Sequence, residues 1–143
     1  MYIVIIDGQG GRVGSMLIEA LRRRRIEKPH RILAVGSNAT ATTAMLKAGA
    51  DIGATGENPI LVAAREADII CGPIGIVLAD AMLGEVTPAM AAAVGRSAAL
   101  KVLLPMEQCG VFMAGSKPTP LSGLIEAAAD RVLSRIGEES AAI

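Results

Sequence analysis

The chain has 143 residues, with 14 basic and 14 acidic side chains, one histidine, two cysteines, one tyrosine, one phenylalanine and no tryptophan. Balanced charge and a pI near 6.6 leave no electrostatic case for nucleic acid or an anionic membrane, and so few aromatics cannot build a base-stacking platform. Lacking a C-x-x-C or Cys/His spacing, the sequence predicts no metal site, and Cys71 and Cys109 are expected to be reduced thiols.

This length predicts one domain over residues 1–137 with a short tail at 138–143, large enough to bury roughly 68% of its unfolded surface. A hydrophobic content of 52% and a mean hydropathy of +0.49 are high for so small a chain, so a homo-oligomer is expected. The longest apolar stretch, Ile69 to Leu83, is broken by Gly72, Pro73, Gly75 and Asp80 and is too short to span a bilayer. With no charged n-region before the first apolar run, a cytoplasmic protein is expected.

Tyr2-Ile3-Val4-Ile5-Ile6, ending at Asp7, reads as a strand buried on both faces. Gly8-Gln9-Gly10-Gly11-Arg12-Val13-Gly14 then turns the chain, and Val13, Met16, Leu17, Ala20 and Leu21 predict a helix from about Gly11 to Arg24. Glycines there allow close backbone approach and positive φ, while first-turn amides attract an anion. The register G-x-G-x-x-G from Gly8 fails at Val13, whereas Gly8-x-x-Gly11-x-x-Gly14 fits completely. The pattern assigns Gly8, Gln9, Gly10, Gly11, Arg12, Val13 and Gly14 to a nucleotide pyrophosphate, with NAD(P) as the expected cofactor. Close helix–strand packing is the competing reason for the same glycines. Asp7 either braces the loop through its amides or shares a cation with the ligand.

The heptapeptide Gly8 to Gly14 resembles the G-x-G-G-R-[MV]-G loop of dihydrodipicolinate reductase. That resemblance covers the opening strand, turn and helix, and implies an NAD(P)H pyrophosphate cradle with Arg12 near the phosphates. No later stretch resembles that enzyme's separate substrate domain.

Arg22-Arg23-Arg24-Arg25 complements the helix dipole and is expected to lie solvated, with a docking patch for an acidic partner as the alternative. Ile32 to Val35 predicts the second strand. His30, before it, falls at the sheet edge opposite the glycine loop and is read as structural or solvated. Where an NAD-preferring protein places an acid, the chain has Gly36-Ser37-Asn38. Ser37 and Asn38 can bond a ribose or a 2′-phosphate, or cap a helix from Ala39 to Ala48 with Asn38 as N-cap and Gly49 beyond its end.

Ala50 to Gly53 predicts a short third strand. Asn58-Pro59, Thr87-Pro88 and Thr119-Pro120 each read as an N-cap followed by proline in the first helical position. Asp68 to Cys71 predicts a central strand with Cys71 as a core residue. Gly72, Pro73 and Ile74, in the following turn, are assigned to the nicotinamide half of the cofactor, a bare turn being the alternative. Ile76 to Leu83 leans towards a short helix. The Ala- and Met-rich helix from Pro88 to Arg96 is a candidate subunit contact, or packs on the sheet.

Leu100 to Leu104 predicts the fifth strand, which delivers Glu107 and Cys109 to its carboxyl end as candidate proton-transfer and nucleophilic groups. Val111 to Ala114 predicts a sixth, edge strand, and Pro120 to Ile136 a final helix. Alternating strands and helices give a single-domain α/β, doubly wound, mostly parallel Rossmann-like sheet with helices on both faces, ordered 3-2-1-4-5.

Four longer words extend this reading: Ile6 to Gly11, Ala44 to Ala50, Ala54 to Asn58, and Gly72 to Ile76. On them the chain is identified as similar to a small uncharacterised bacterial family, a domain of unknown function. That resemblance implies a Rossmann-like fold and no established activity. The leading expectation is a cytoplasmic sensor or carrier of a nucleotide or other small phosphorylated metabolite, NAD(P) first. The second is an NAD(P)-dependent oxidoreductase completed by a second subunit. The third is an oligomeric scaffold with a vestigial pocket.

Overall fold

The computed structural model describes residues 1–106 and 110–142. Five strands, β1 (Tyr2–Asp7), β2 (Arg31–Gly36), β3 (Ile52–Thr55), β4 (Ile69–Pro73) and β5 (Leu100–Leu104), form one sheet among the described residues. Every pairing is parallel and the order is β3-β2-β1-β4-β5, as the alternation of elements predicts. Strand β1 is central: Ile5 pairs with Ala34 on one side and Cys71 on the other.

The two-residue side-chain period of β1 divides the interior. Ile3 and Ile5 face a core built with α1 (Arg12–Arg23), α2 (Ala39–Lys47) and α5 (Leu121–Ala141), through Leu17, Leu21, Met45, Ile125 and Val132. Val4 and Ile6 face the other core, with α3 (Glu57–Glu66) and α4 (Pro88–Arg96), through Ile60, Ala64, Met90 and Val94. The sheet is thus covered on both faces, and the loops at its carboxyl ends share one edge. None of the described helices is long and apolar enough to cross a membrane.

Two of the predicted caps are present. Asn38 Oδ1 accepts from Ala41 N at 2.8 Å, and Thr87 Oγ1 accepts from Met90 N at 3.1 Å with Pro88 following. The other two Pro-linked starts differ. Helix α3 begins at Glu57 because Gly56, at φ 105°, makes the turn, leaving Asn58 inside the first turn. Pro120 itself stands before α5, and Thr119 turns its hydroxyl to Lys117 O. The helix also runs past Ile136 to Ala141, beyond the predicted end.

Strand β3 is shifted to Ile52–Thr55, because Asp51 closes its start by accepting from Ile32 N at 2.7 Å. No strand forms at Val111 to Ala114, where Phe112 and Met113 are exposed beside a turn. In place of a helix over Ile76 to Leu83 there is a 3₁₀ turn at Ile74–Val77, then a loop with positive φ at Asp80, Met82, Leu83 and Gly84. Helix α4 buries Met90, Ala91 and Val94 against the sheet and α3, which favours the packing alternative for its small residues.

The arginine run is not solvated as a whole. Arg22 pairs with Asp51 at 3.0 Å and donates to Gly49 O and Ile26 O. Arg23 reaches Glu126, while Arg24 reaches Glu126 and Asp130, tying the end of α1 to α5. Arg23 and Arg25 are exposed, as the solvated reading expects, whereas Arg22 and Arg24 are half-buried. Thr87→Ala, which removes the cap of α4, is expected to lower stability by about 1 kcal/mol in urea unfolding.

Candidate functional site

The turn after β1 is organised by Asp7, only 5% exposed. Its Oδ1 accepts from Gly8 N and its Oδ2 from Gly14 N, each at 2.8 Å, so one carboxylate joins the strand end to the first turn of α1. Burial pushes its carboxyl above the usual range. The Gly14 and Gly8 amides oppose that rise, and the charge of Glu85 adds to it. Loop bracing is the role the structure gives Asp7, and the described residues contain no acidic, Cys or His cluster suited to a metal.

A second carboxylate lies over the loop. Glu85 Oε1 accepts from Gln9 N at 2.9 Å, Ser37 Oγ at 2.7 Å and Asn38 Nδ2 at 2.6 Å. Partial burial disfavours the charge, but the bonds from Gln9, Ser37 and Asn38 outweigh it and hold the carboxyl below its ordinary value. Asn38 Nδ2 also donates to Gln9 O at 2.9 Å. Glu85 therefore gathers Gln9, Ser37 and Asn38 from the carboxyl ends of β1 and β2.

The three glycines of the complete register serve packing. A Cβ on Gly8 would stand 2.5 Å from Ser37 Oγ and 2.7 Å from Met82 Sδ. One on Gly11, whose φ is 74°, would meet the Ala41 backbone at 2.8 Å, and one on Gly14 would collide with Met45 and Asp7. Gly10 alone in the loop faces open space. Arg12 is exposed and Val13 half-buried at the start of α1.

Four of the amides expected to form the pyrophosphate cradle are taken up within the protein. A pyrophosphate needs loop amides aimed outward. Those of Gly8 and Gly14 end on Asp7, that of Gln9 ends on Glu85, and Gly11 N bonds back to Gly8 O at 2.9 Å. As placed, these amides are not offered to the pyrophosphate of NAD(P).

The remaining assignments separate. Gly72 and Pro73 are buried in β4 and Ile74 is half-buried beyond it. A Cβ on Gly72 would strike the Ile6 carbonyl, so this glycine serves strand packing rather than ligand approach. His30 Nδ1 lies 3.1 Å from the Met1 amino nitrogen at the opposite edge, in keeping with a structural role. Cys71 is fully buried, and burial raises its thiol to about 12, which makes it an inert core residue. Glu107 and Cys109 lie outside the described residues.

A small cavity lies beside these residues, lined by Ile6, Asp7, Ser37, Ile60, Ile76, Met82 and Met90 among others. Sequence reading missed Met82 and Glu85. Their only local signal is Gly84, the turn residue of a short connection between carboxyl-edge elements.

The family description Domain of unknown function (DUF3842) matches residues 2–137. The chain belongs to that family. No curated protein matches it in sequence. Among solved structures it is similar to the dodecameric FMN-dependent UbiX-like decarboxylase of Escherichia coli O157:H7, at 14% identity and a TM-score of 0.46, over 96% of this chain and 94% of that one. Flavin and dodecamer are said of that protein. Neither finding supports the likeness to dihydrodipicolinate reductase or binding of NAD(P).

The charge of Glu85 is expected to be felt at Asp7. Glu85→Gln removes a negative charge facing Asp7, so the Asp7 pKa should fall, as read by ¹³C carboxyl NMR. Because the folded-state pKa of Asp7 is raised, its stabilising contribution is full below the usual aspartate value and is lost as pH rises through the folded one. Glu85 has the opposite sign, its contribution being lost as pH falls through its depressed value.

Proposed function

We propose that this protein binds a small phosphorylated metabolite or nucleotide at the carboxyl edge of its sheet, as a cytoplasmic sensor or carrier. One observation carries the reading: Gln9 N, Ser37 Oγ and Asn38 Nδ2, from two separate loops, converge on a single acceptor oxygen. Three donors focused on one point suit a phosphate or ribose oxygen as well as they suit a carboxylate. Ligands of such sheets settle beyond the carboxyl ends of the strands, where these donors lie. Gly10, open beside them, leaves room for approach.

Asp7 is committed to the loop amides, and the function proposed is binding without turnover. Equilibrium titration with inorganic phosphate, ribose 5-phosphate, AMP, ATP, NADH, NADPH and FMN tests it. At least one of these is expected to bind with sub-millimolar Kd, and Ser37→Ala to weaken it about tenfold, equivalent to about 1.4 kcal/mol. Absence of binding by every compound at millimolar concentration overturns the proposal.

A second reading, an oligomeric scaffold with a vestigial pocket, is favoured by a different observation. Gly8, Gly11 and Gly14 are each accounted for by packing, while Leu83 and Phe112 are 98% and 79% exposed. Light scattering after size exclusion separates the readings. The scaffold predicts a stable homo-oligomer in protein that binds none of the ligands, and a monomer excludes it.

A further inference from the structure

The loop from Leu78 to Val86 places two of its side chains in the crevice just assigned to a ligand. Its ends are fixed: Leu78 N bonds to Gly75 O at 3.0 Å, Val86 is buried, and Thr87 caps α4. Between them the chain folds on itself through Asp80 N to Val86 O at 2.7 Å, Gly84 N to Asp80 O at 3.1 Å and Val86 N to Ala81 O at 3.2 Å. Three residues other than glycine take the left-handed conformation, Asp80 at φ 66°, Met82 at 57° and Leu83 at 57°. L residues adopt it at a cost, so something outside the loop must hold them there.

Two anchors do so. Glu85 lies on Gln9, Ser37 and Asn38, and Met82 lies over Gly8 at the wall of the apolar cavity with Ile6, Ile60 and Ile76. An anionic head and an apolar tail are presented three residues apart, while Leu83 between them projects into solvent. A nucleotide likewise offers phosphate or ribose oxygens at one end and the apolar faces of an aromatic base at the other.

The geometry points to a displaceable strap: residues 78–86 fill the ligand crevice with Met82 and Glu85, and a phosphorylated ligand binds by expelling them. This inference rests on the binding function proposed above. Glu85 and an incoming phosphate are both anionic and need the same three donors, so they cannot occupy them together. With the strap closed, the apparent affinity falls by the fraction of molecules that are open. Expelling Glu85 also frees Asp80, Met82 and Leu83 from their left-handed conformation, so occupancy of the site is reported by the mobility of an exposed loop bearing Leu83.

The test uses AMP and inorganic phosphate as probes on the full chain, with Glu85→Ala and Glu85→Gln. Unchanged hydrogen exchange in the β1 and β4 amides establishes that each variant is folded, and Gln keeps the shape of the side chain should Ala disturb the loop. If the strap competes, Glu85→Ala binds AMP at least tenfold more tightly than the unaltered protein, with Glu85→Gln between them. Saturating AMP then raises amide exchange across 80–86 in the unaltered chain. Equal or weaker binding by the folded variants, with no change in exchange, overturns the strap and leaves the binding function standing. No binding of either probe by any of the three proteins counts against both.

Discussion

The structure depends on what the chain does with one buried carboxylate. Asp7 ends the central strand inside the fold, where an unpaired charge would be costly, and it is kept there by the amides of Gly8 and Gly14. Bonding Gly8 N and Gly14 N at once requires the first turn of α1 to lie close against the end of β1. Nothing larger than glycine fits at Gly14 once Met45 of α2 closes over it, and Gly11 in turn lies against the Ala41 backbone. The positions of α1 and α2 on the sheet are thus consequences of satisfying Asp7. The same demand removes two amides that an anion at this helix start would use.

Much of the architecture was legible because its signals are local. An apolar run, a glycine turn and a helical stripe place β1 and α1, and parallel pairing follows from the alternation of elements. Asn38 and Thr87 declare their caps within three residues of the amides they serve. Asn58 and Thr119 carry the same dipeptide signal without the outcome. At Asn58 a glycine with positive φ starts the helix earlier, and at Thr119 the proline occupies the cap position itself. The arginine run misled for another reason. Its partners Glu126 and Asp130 lie on α5, far along the sequence, and only the packing of α1 against α5 brings them within reach.

The site was less legible than the fold, for a related physical reason. A glycine spacing records that something approaches the backbone closely, not what that something is. At Gly8 the approaching groups are Ser37, Met82 and Glu85; at Gly72 it is the Ile6 carbonyl. A ligand and the protein's own atoms leave the same mark in the sequence. Glu85 is separated from Gln9 by 76 positions, and no pattern around it announces the contact.

Asn38 shows that capping a helix and donating at the carboxyl edge do not compete. Its Oδ1 caps α2 through Ala41 N, and that bond fixes the plane of the carboxamide. With the oxygen committed to the helix, Nδ2 must point the other way, towards Gln9 O and Glu85. Capping therefore aims the donor. The helix start supplies the orientation, the neighbouring Ser37 hydroxyl and Gln9 amide supply the remaining donors, and the parallel sheet brings all three to one edge. A residue read only as a cap loses half of this arrangement, since the donor geometry at the carboxyl edge exists because the helix is capped.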